Sequence, residues 1–148
     1  MIPTQDFKAA SAFEAASLHV TDWPLCQVRI QNDARFSWLI LLPRIEGAVE
    51  LSDLSQDQRA QLMEEAVEAG RLVSLMAQAE GLPIDKVNTA AIGNVTSQLH
   101  IHVVGRRKDD PLWPDPVWGR SGAVSCVSEV LHNRVAAIKS HQFTTQRT

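Results

Sequence analysis

From Gln98 to Val104 the sequence alternates strictly, with Gln98, His100 and His102 at one parity and Leu99, Ile101 and Val103 at the other. Successive side chains of a β-strand point to opposite faces, so this run is predicted to be a strand with one apolar face. The other face carries one amide and two imidazoles, spaced about 6.5–7 Å apart. A half-buried strand usually turns charges toward water. This one presents groups that exchange protons and both donate and accept hydrogen bonds. A chain carrying such a strand has to supply a sheet around it and a core beneath its apolar face.

The flanking sequence supplies both. Leu25 to Gln31 alternates Cys26, Val28 and Ile30 with Gln27, Arg29 and Gln31, which predicts an antiparallel strand with one wet face. Asn32 to Ser37 is turn-forming, and Trp38-Leu39-Ile40-Leu41-Leu42-Pro43 is a continuous apolar run, predicting a strand buried on both faces. Taken locally, Asn32 and Asp33 are turn residues whose side chains bond their own backbone. After a connector, Ser55 and Gln58 form a capping-box pair, and Leu62, Ala66, Ala69, Val73 and Met76 recur at helical spacing until Gly81 and Pro83 stop the helix. The methionines are read as core filler. Lys86 to Ile92 is predicted to be a strand, Gly93-Asn94 a turn, and Gln98 to Val104 its hairpin partner.

Hairpin, helix, hairpin predicts an α+β fold, an antiparallel sheet of two hairpins with a long helix packed on one face. The opposite face is where the Gln98, His100, His102 row can meet a ligand. Toward the ends, residues 5–18 predict a short helix that Pro24 closes off, and residues 123–140 predict a closing helix. Pro111, Pro114 and Pro116 fix an extended loop that also holds Trp113 and Trp118, so the loop is expected to pack on its own domain or on a second subunit. His19 is read as a surface or packing histidine, and His132 and His141 as solvated.

With 148 residues, 45% of them hydrophobic, the chain suits a single domain with one core. A net charge of −3 provides no basic field for general binding to nucleic acid or a membrane surface, so an anionic ligand must be held locally. No apolar run approaches a membrane span, and Met1 to Asp6 lacks the features of a leader; a cytoplasmic location is the expectation. Cys26 and Cys126 are far apart in apolar patterns and are expected to be buried thiols in a reducing compartment.

Three readings compete for the histidine row. In the first, both imidazoles are structural and are satisfied by neighbouring backbone; each would cost about 1–3 kcal/mol if left unpaired. In the second, His100 and His102 bind a metal, but zinc needs a third or fourth ligand and no second cluster supplies one, so no metal is expected. In the third, the row performs nucleophilic and acid–base chemistry at phosphorus. Imidazole is nucleophilic near neutral pH, and a neighbouring imidazole can carry a proton to a leaving group.

Gln98-Leu99-His100-Ile101-His102-Val103-Val104 resembles the motif of the histidine triad (HIT) family, in which three histidines alternate with apolar residues. The early hairpin ending in Leu-Ile-Leu-Leu-Pro-Arg, the long helix, the Gly-Asn before the motif and the Trp-Pro after it fall in HIT-like order over roughly residues 20–120. The resemblance implies a HIT-like domain over residues 1–148, with helical extensions at both ends of that core. It also implies a nucleotide hydrolase or nucleotidyltransferase that cleaves a phosphoanhydride or phosphoramidate bond without a cofactor. His100 would be the nucleophile on the α-phosphorus, and His102 would contact phosphate and assist proton transfer. Asn94 would bind the phosphate region, Thr96 and Ser97 would add donors, and Asn32 or Asp33 would hold the ribose. Arg106 would add electrostatic help, and a homodimer is expected. Gln98 stands where the family has its first histidine; an amide can orient and donate but cannot titrate. The alternative is therefore a nucleotide-binding module with little or no turnover.

Overall fold

The structure, a computed structural model, describes residues 3–143. Met1 and Ile2, where the reading for a leader begins, lie outside the described residues. Strands β1 (Ser17–Asp22), β2 (Cys26–Gln31), β3 (Ser37–Pro43), β4 (Lys86–Ala90) and β5 (Ile101–Arg106) form one antiparallel sheet in the order β1-β2-β3-β5-β4. Helices α1 (Ser11–Ala16), α2 (Gln56–Ala79) and α3 (Ser128–Ser140) accompany it. The fold is α+β, with the two predicted hairpins and the long helix in place.

Parity separates the two faces of the sheet. Leu39 and Leu41 of β3, with Ile101 and Val103 of β5, pack with Leu62, Ala69, Leu72, Val73 and Met76 of α2 in the main core. Each such fully buried leucine or isoleucine contributes about 1.5–3 kcal/mol. Trp38, Ile40, Leu42 and Val104 point the other way, into a second cluster with Phe13, Phe36 and Val117. The continuous apolar run of β3 therefore serves two cores, one on each face. At the start of α2, Ser55 Oγ accepts from the Gln58 N–H at 3.2 Å and Gln58 Oε1 accepts from the Ser55 N–H at 2.8 Å. At its end, Gly81 takes φ +74° and the Leu82 N–H reaches back to the Ala77 carbonyl, closing the helix as predicted.

Several elements differ from the sequence reading. The N-terminal helix is confined to Ser11–Ala16, and the chain then enters β1, which pairs with β2 around an irregularity between His19 and Thr21. That irregularity breaks the alternation by which a strand is recognised. The face of β2 expected to be wet is covered: Gln27 and Arg29 are buried, and Arg29 donates to the carbonyls of Phe13 and Ser17 and to Ser17 Oγ. Strand β5 begins at Ile101 rather than Gln98, because the Leu99 N–H bonds the Ala48 carbonyl instead of a strand partner. Strand β4 correspondingly ends at Ala90, opposite His102. The closing helix starts at Ser128, since residues 124–126 run extended against the β2–β3 turn and bond Ala34, Asn32 and Asp33.

Smaller corrections concern single side chains. Met63 is exposed whereas Met76 is core. Cys26 is buried and Cys126 half-buried, both as free thiols. His141, expected to be solvated, bonds Glu68 and packs against Trp23. No helix among the described residues is long and apolar enough to cross a membrane.

Candidate active site

His102 lies on β5 directly opposite Ile40 of β3 and opposite Ala90 of β4, so its ring is held mid-sheet on the face away from α2. His100 immediately precedes the strand, and the two rings meet edge to face with centroids 4.9 Å apart. Both histidines are buried. Phe13 of α1 packs edge-on against His100 at 4.7 Å, and Trp38 and Trp118 flank His102 at 5.5 and 5.6 Å.

The hydrogen bonds assign a tautomer to each ring. His100 Nδ1 lies 2.7 Å from the main-chain carbonyl of Gln98, which can only accept, so Nδ1 carries the proton and neutral His100 has its lone pair on Nε2. Trp38 Nε1, which can only donate, bonds His102 Nδ1 at 3.0 Å, so neutral His102 carries its proton on Nε2. One ring thus offers a nucleophilic nitrogen and its neighbour an N–H donor. Burial, and to a lesser extent the positive charge His100 can carry, push the His102 pKa down to about 4. At neutral pH His102 is uncharged.

A cavity of about 550 Å³ opens on this pair, with Phe13, Trp38, Ile40, Val117 and Trp118 as apolar walls and Asn94, Thr96 and Arg120 among its polar lining. A second, more polar cavity of about 400 Å³ adjoins it, lined by Asn94, Ser97, Gln98 and His100 together with Ser52. His100 and Asn94 border both. The His100 ring therefore stands between an aromatic compartment and a polar one.

Of the residues singled out in the sequence, His100, His102, Asn94 and Thr96 gather at the first cavity and Ser97 and Gln98 at the second. The Gln98 side chain reaches the N-terminal segment, accepting from the Ala10 N–H at 2.8 Å and donating to the Lys8 carbonyl at 2.9 Å. Asn32, Asp33 and Arg106 are not among the residues lining either cavity. Asn32 Oδ1 accepts from the Cys126 N–H. Asp33 is buried, a circumstance that pushes its carboxyl up, but hydrogen bonds from the Arg35 side chain and from the Arg35 and Val124 N–H groups outweigh this and hold it below the usual range. Arg106 forms a bidentate pair with Asp110 at 2.8 and 3.0 Å, donates to the Asp115 carbonyl and stacks over Phe36 and Trp113.

Phe13, Trp38, Ile40, Trp118 and Arg120 were not read as site residues. Trp38 and Ile40 share the parity that faces the histidine row, which the pairing of β3 with β5 makes visible. Nothing local marks Arg120, which pairs with Asp115 at the cavity rim. Among the described residues, no group of three His, Cys, Asp or Glu side chains is placed to hold a metal ion.

Comparison with known proteins adds the following. The model of the HIT domain family matches residues 12–109. A histidine triad protein from Bradyrhizobium japonicum is 34% identical, with 90% of this chain and 96% of that one covered and a TM-score of 0.83. A HIT protein from Sinorhizobium meliloti 1021 is 34% identical over 90% and 96% of the two chains, with a TM-score of 0.80. A histidine triad protein from Marinobacter aquaeolei VT8 is 33% identical over 90% and 93%, with a TM-score of 0.77. No curated protein matches the chain.

Proposed function

Because the chain belongs to the histidine triad (HIT) family, we propose that it is a nucleotide hydrolase or nucleotidyltransferase that cleaves a phosphoanhydride or phosphoramidate bond through a nucleotidyl-His100 intermediate. The observation that carries this reading is the complementary pair of tautomers: a lone pair on His100 Nε2 beside an N–H on His102 Nε2. In this reading Gln98 occupies the first position of the triad, and its main-chain carbonyl, not its side chain, orients the nucleophile.

The aromatic compartment suits the base and ribose, with Phe13, Ile40 and Trp118 as its walls, and Asn94 and Thr96 offer polar groups to the phosphate. His100 Nε2 attacks the α-phosphorus, a P–N bond forms, and the bond from phosphorus to the leaving oxygen or nitrogen breaks. In the free protein His102 is neutral and its Nε2–H is the ring's donor. A bound phosphate accepts from Nε2–H and stabilises the imidazolium; the ring takes up its second proton from solvent at Nδ1, giving up the Trp38 bond, and passes the Nε2 proton to the leaving group. Water or another acceptor then attacks phosphorus and releases His100.

A second copy of the chain is the expected partner. Strand β4 is a free edge of the sheet, and Met63, Val67 and Leu75 of α2 are exposed apolar side chains beside it along a groove that includes Val87 and Thr89. The two free thiols agree with a cytoplasmic setting.

Incubation with AMP amidate or an adenylated dinucleotide tests the function. Release of AMP by the native chain and its loss in His100→Ala is the expected result. Calorimetric binding of AMP without turnover of either compound would instead leave a nucleotide-binding module.

A further inference from the structure

The side chain of Gln98 contacts two main-chain groups of one segment, accepting from the Ala10 N–H at 2.8 Å and donating to the Lys8 carbonyl at 2.9 Å. Partners on residues i and i+2 of an extended segment are those a neighbouring strand would use, so the amide acts as a surrogate peptide group. Ala10 is the N-cap of α1 and has no side-chain cap of its own. Helix α1 has 6 residues, too few to hold together alone. Its C-terminal end is tied by Arg29, which donates to the carbonyls of Phe13 and Ser17, and its N-terminal end is tied by Gln98. Between the two ties sits Phe13, packed on the His100 ring, and Ala12, Phe13 and Ala16 line the cavity.

We propose that Gln98 is a positioning residue that straps the N-terminal segment beside the histidine pair, so that α1 forms one wall of the nucleotide cavity and Phe13 braces His100. The inference rests on the nucleotide-directed reading of the site. It explains an amide at this position: only a group with a donor and an acceptor diverging from one atom at this reach serves both partners. An imidazole branches one bond nearer the backbone and carries its nitrogens on a ring, so Gln98→His keeps the main-chain bond to His100 but loses the strap. Restoring a third histidine therefore lowers activity instead of raising it.

A double-mutant cycle in the full chain tests this. Gln98→Met keeps the side-chain length and removes both bonds, and Ala10→Pro removes the N–H donor at a residue whose φ of −59° suits proline. Hydrogen exchange at the Phe13 amide, the Kd for AMP and the KM for AMP amidate are measured in both single variants and the double variant. Gln98→Met is expected to speed Phe13 exchange and raise Kd and KM by about tenfold, with kcat changed less than about threefold. The double variant is expected to be no worse than Gln98→Met, because both substitutions cut the same contact. Additive effects, or a fall in kcat with exchange and KM unchanged, would overturn the proposal by placing Gln98 on the reacting groups. Phe13 exchange is read without any nucleotide, so a chain that turns over no substrate fails the functional reading while the strap is still decided.

Discussion

Trp38 Nε1 donates a hydrogen bond to His102 Nδ1 at 3.0 Å, linking β3 to β5 on the face that carries the histidine pair. The bond fixes which nitrogen of His102 can face a ligand. It also opposes protonation at Nδ1, because an imidazolium has no lone pair to accept from the indole. Trp38→Phe keeps the aromatic packing and removes the donor. The His102 pKa is then expected to rise from about 4. Because the imidazolium that passes the proton then forms without giving up a bond of about 1 kcal/mol, kcat/KM at neutral pH is expected to rise by about fivefold. An NMR titration of the His102 ring alongside the pH–rate profile checks this; an unchanged titration would show that the indole does not govern the tautomer.

Stability should carry the same signature. The unfolded chain binds a proton at His102 below its ordinary pKa of 6.5, whereas the folded chain does so only near 4. Between those values the unfolded state holds more protons, so stability falls as pH falls, by up to about 3 kcal/mol for this group. Urea unfolding at pH 7 and pH 4.5 is expected to show the difference, and His102→Gln to remove this part of it. Equal pH dependence in the two proteins would exclude His102 as its source.

Arg106 is predicted to matter for folding and not for chemistry. Both members of the Arg106–Asp110 pair are buried, each with a side chain 1% exposed. Burial pushes the Asp110 carboxyl up, but the hydrogen bonds of Arg106 and of the Leu112 and Arg107 N–H groups hold it below its ordinary range. Arg106→Met leaves that carboxylate unpaired and should cost about 3–5 kcal/mol. Denaturant unfolding measures the loss, and kcat per folded molecule should stay near native. A loss of kcat without loss of stability would return Arg106 to the chemistry.

The proposed homodimer has its own test. Val67→Asp places a charge among the exposed apolar residues of α2 beside the free edge strand β4. Light scattering is expected to give a dimer for the native chain and a monomer for Val67→Asp. A native monomer would remove the second copy from the account.

How far the sequence could be read follows from where the information sits. Helix α2 was legible because Ser55, Gln58, Gly81 and Pro83 mark its ends through local chemistry, and β5 because His102 and Val103 alternate between two environments. Strand β1 was not, since its pairing irregularity after His19 breaks the period and the alanines before it favour helix. Gln27 and Arg29 look wet in sequence, and only the return of α1 over them makes that face buried. The histidine pair was visible as a motif. Its electronic arrangement was not, because the partners that set it, Trp38 and the carbonyl of Gln98, are known only once strands pair and the loop before β5 turns.

The most direct test of the account is to quench the protein during turnover of AMP amidate and map any nucleotidyl group by peptide mass spectrometry. The account predicts one nucleotidyl group on His100, absent in His100→Ala and longer-lived when the acceptor step is slowed. Turnover with no such adduct, or with the group on His102, would contradict it.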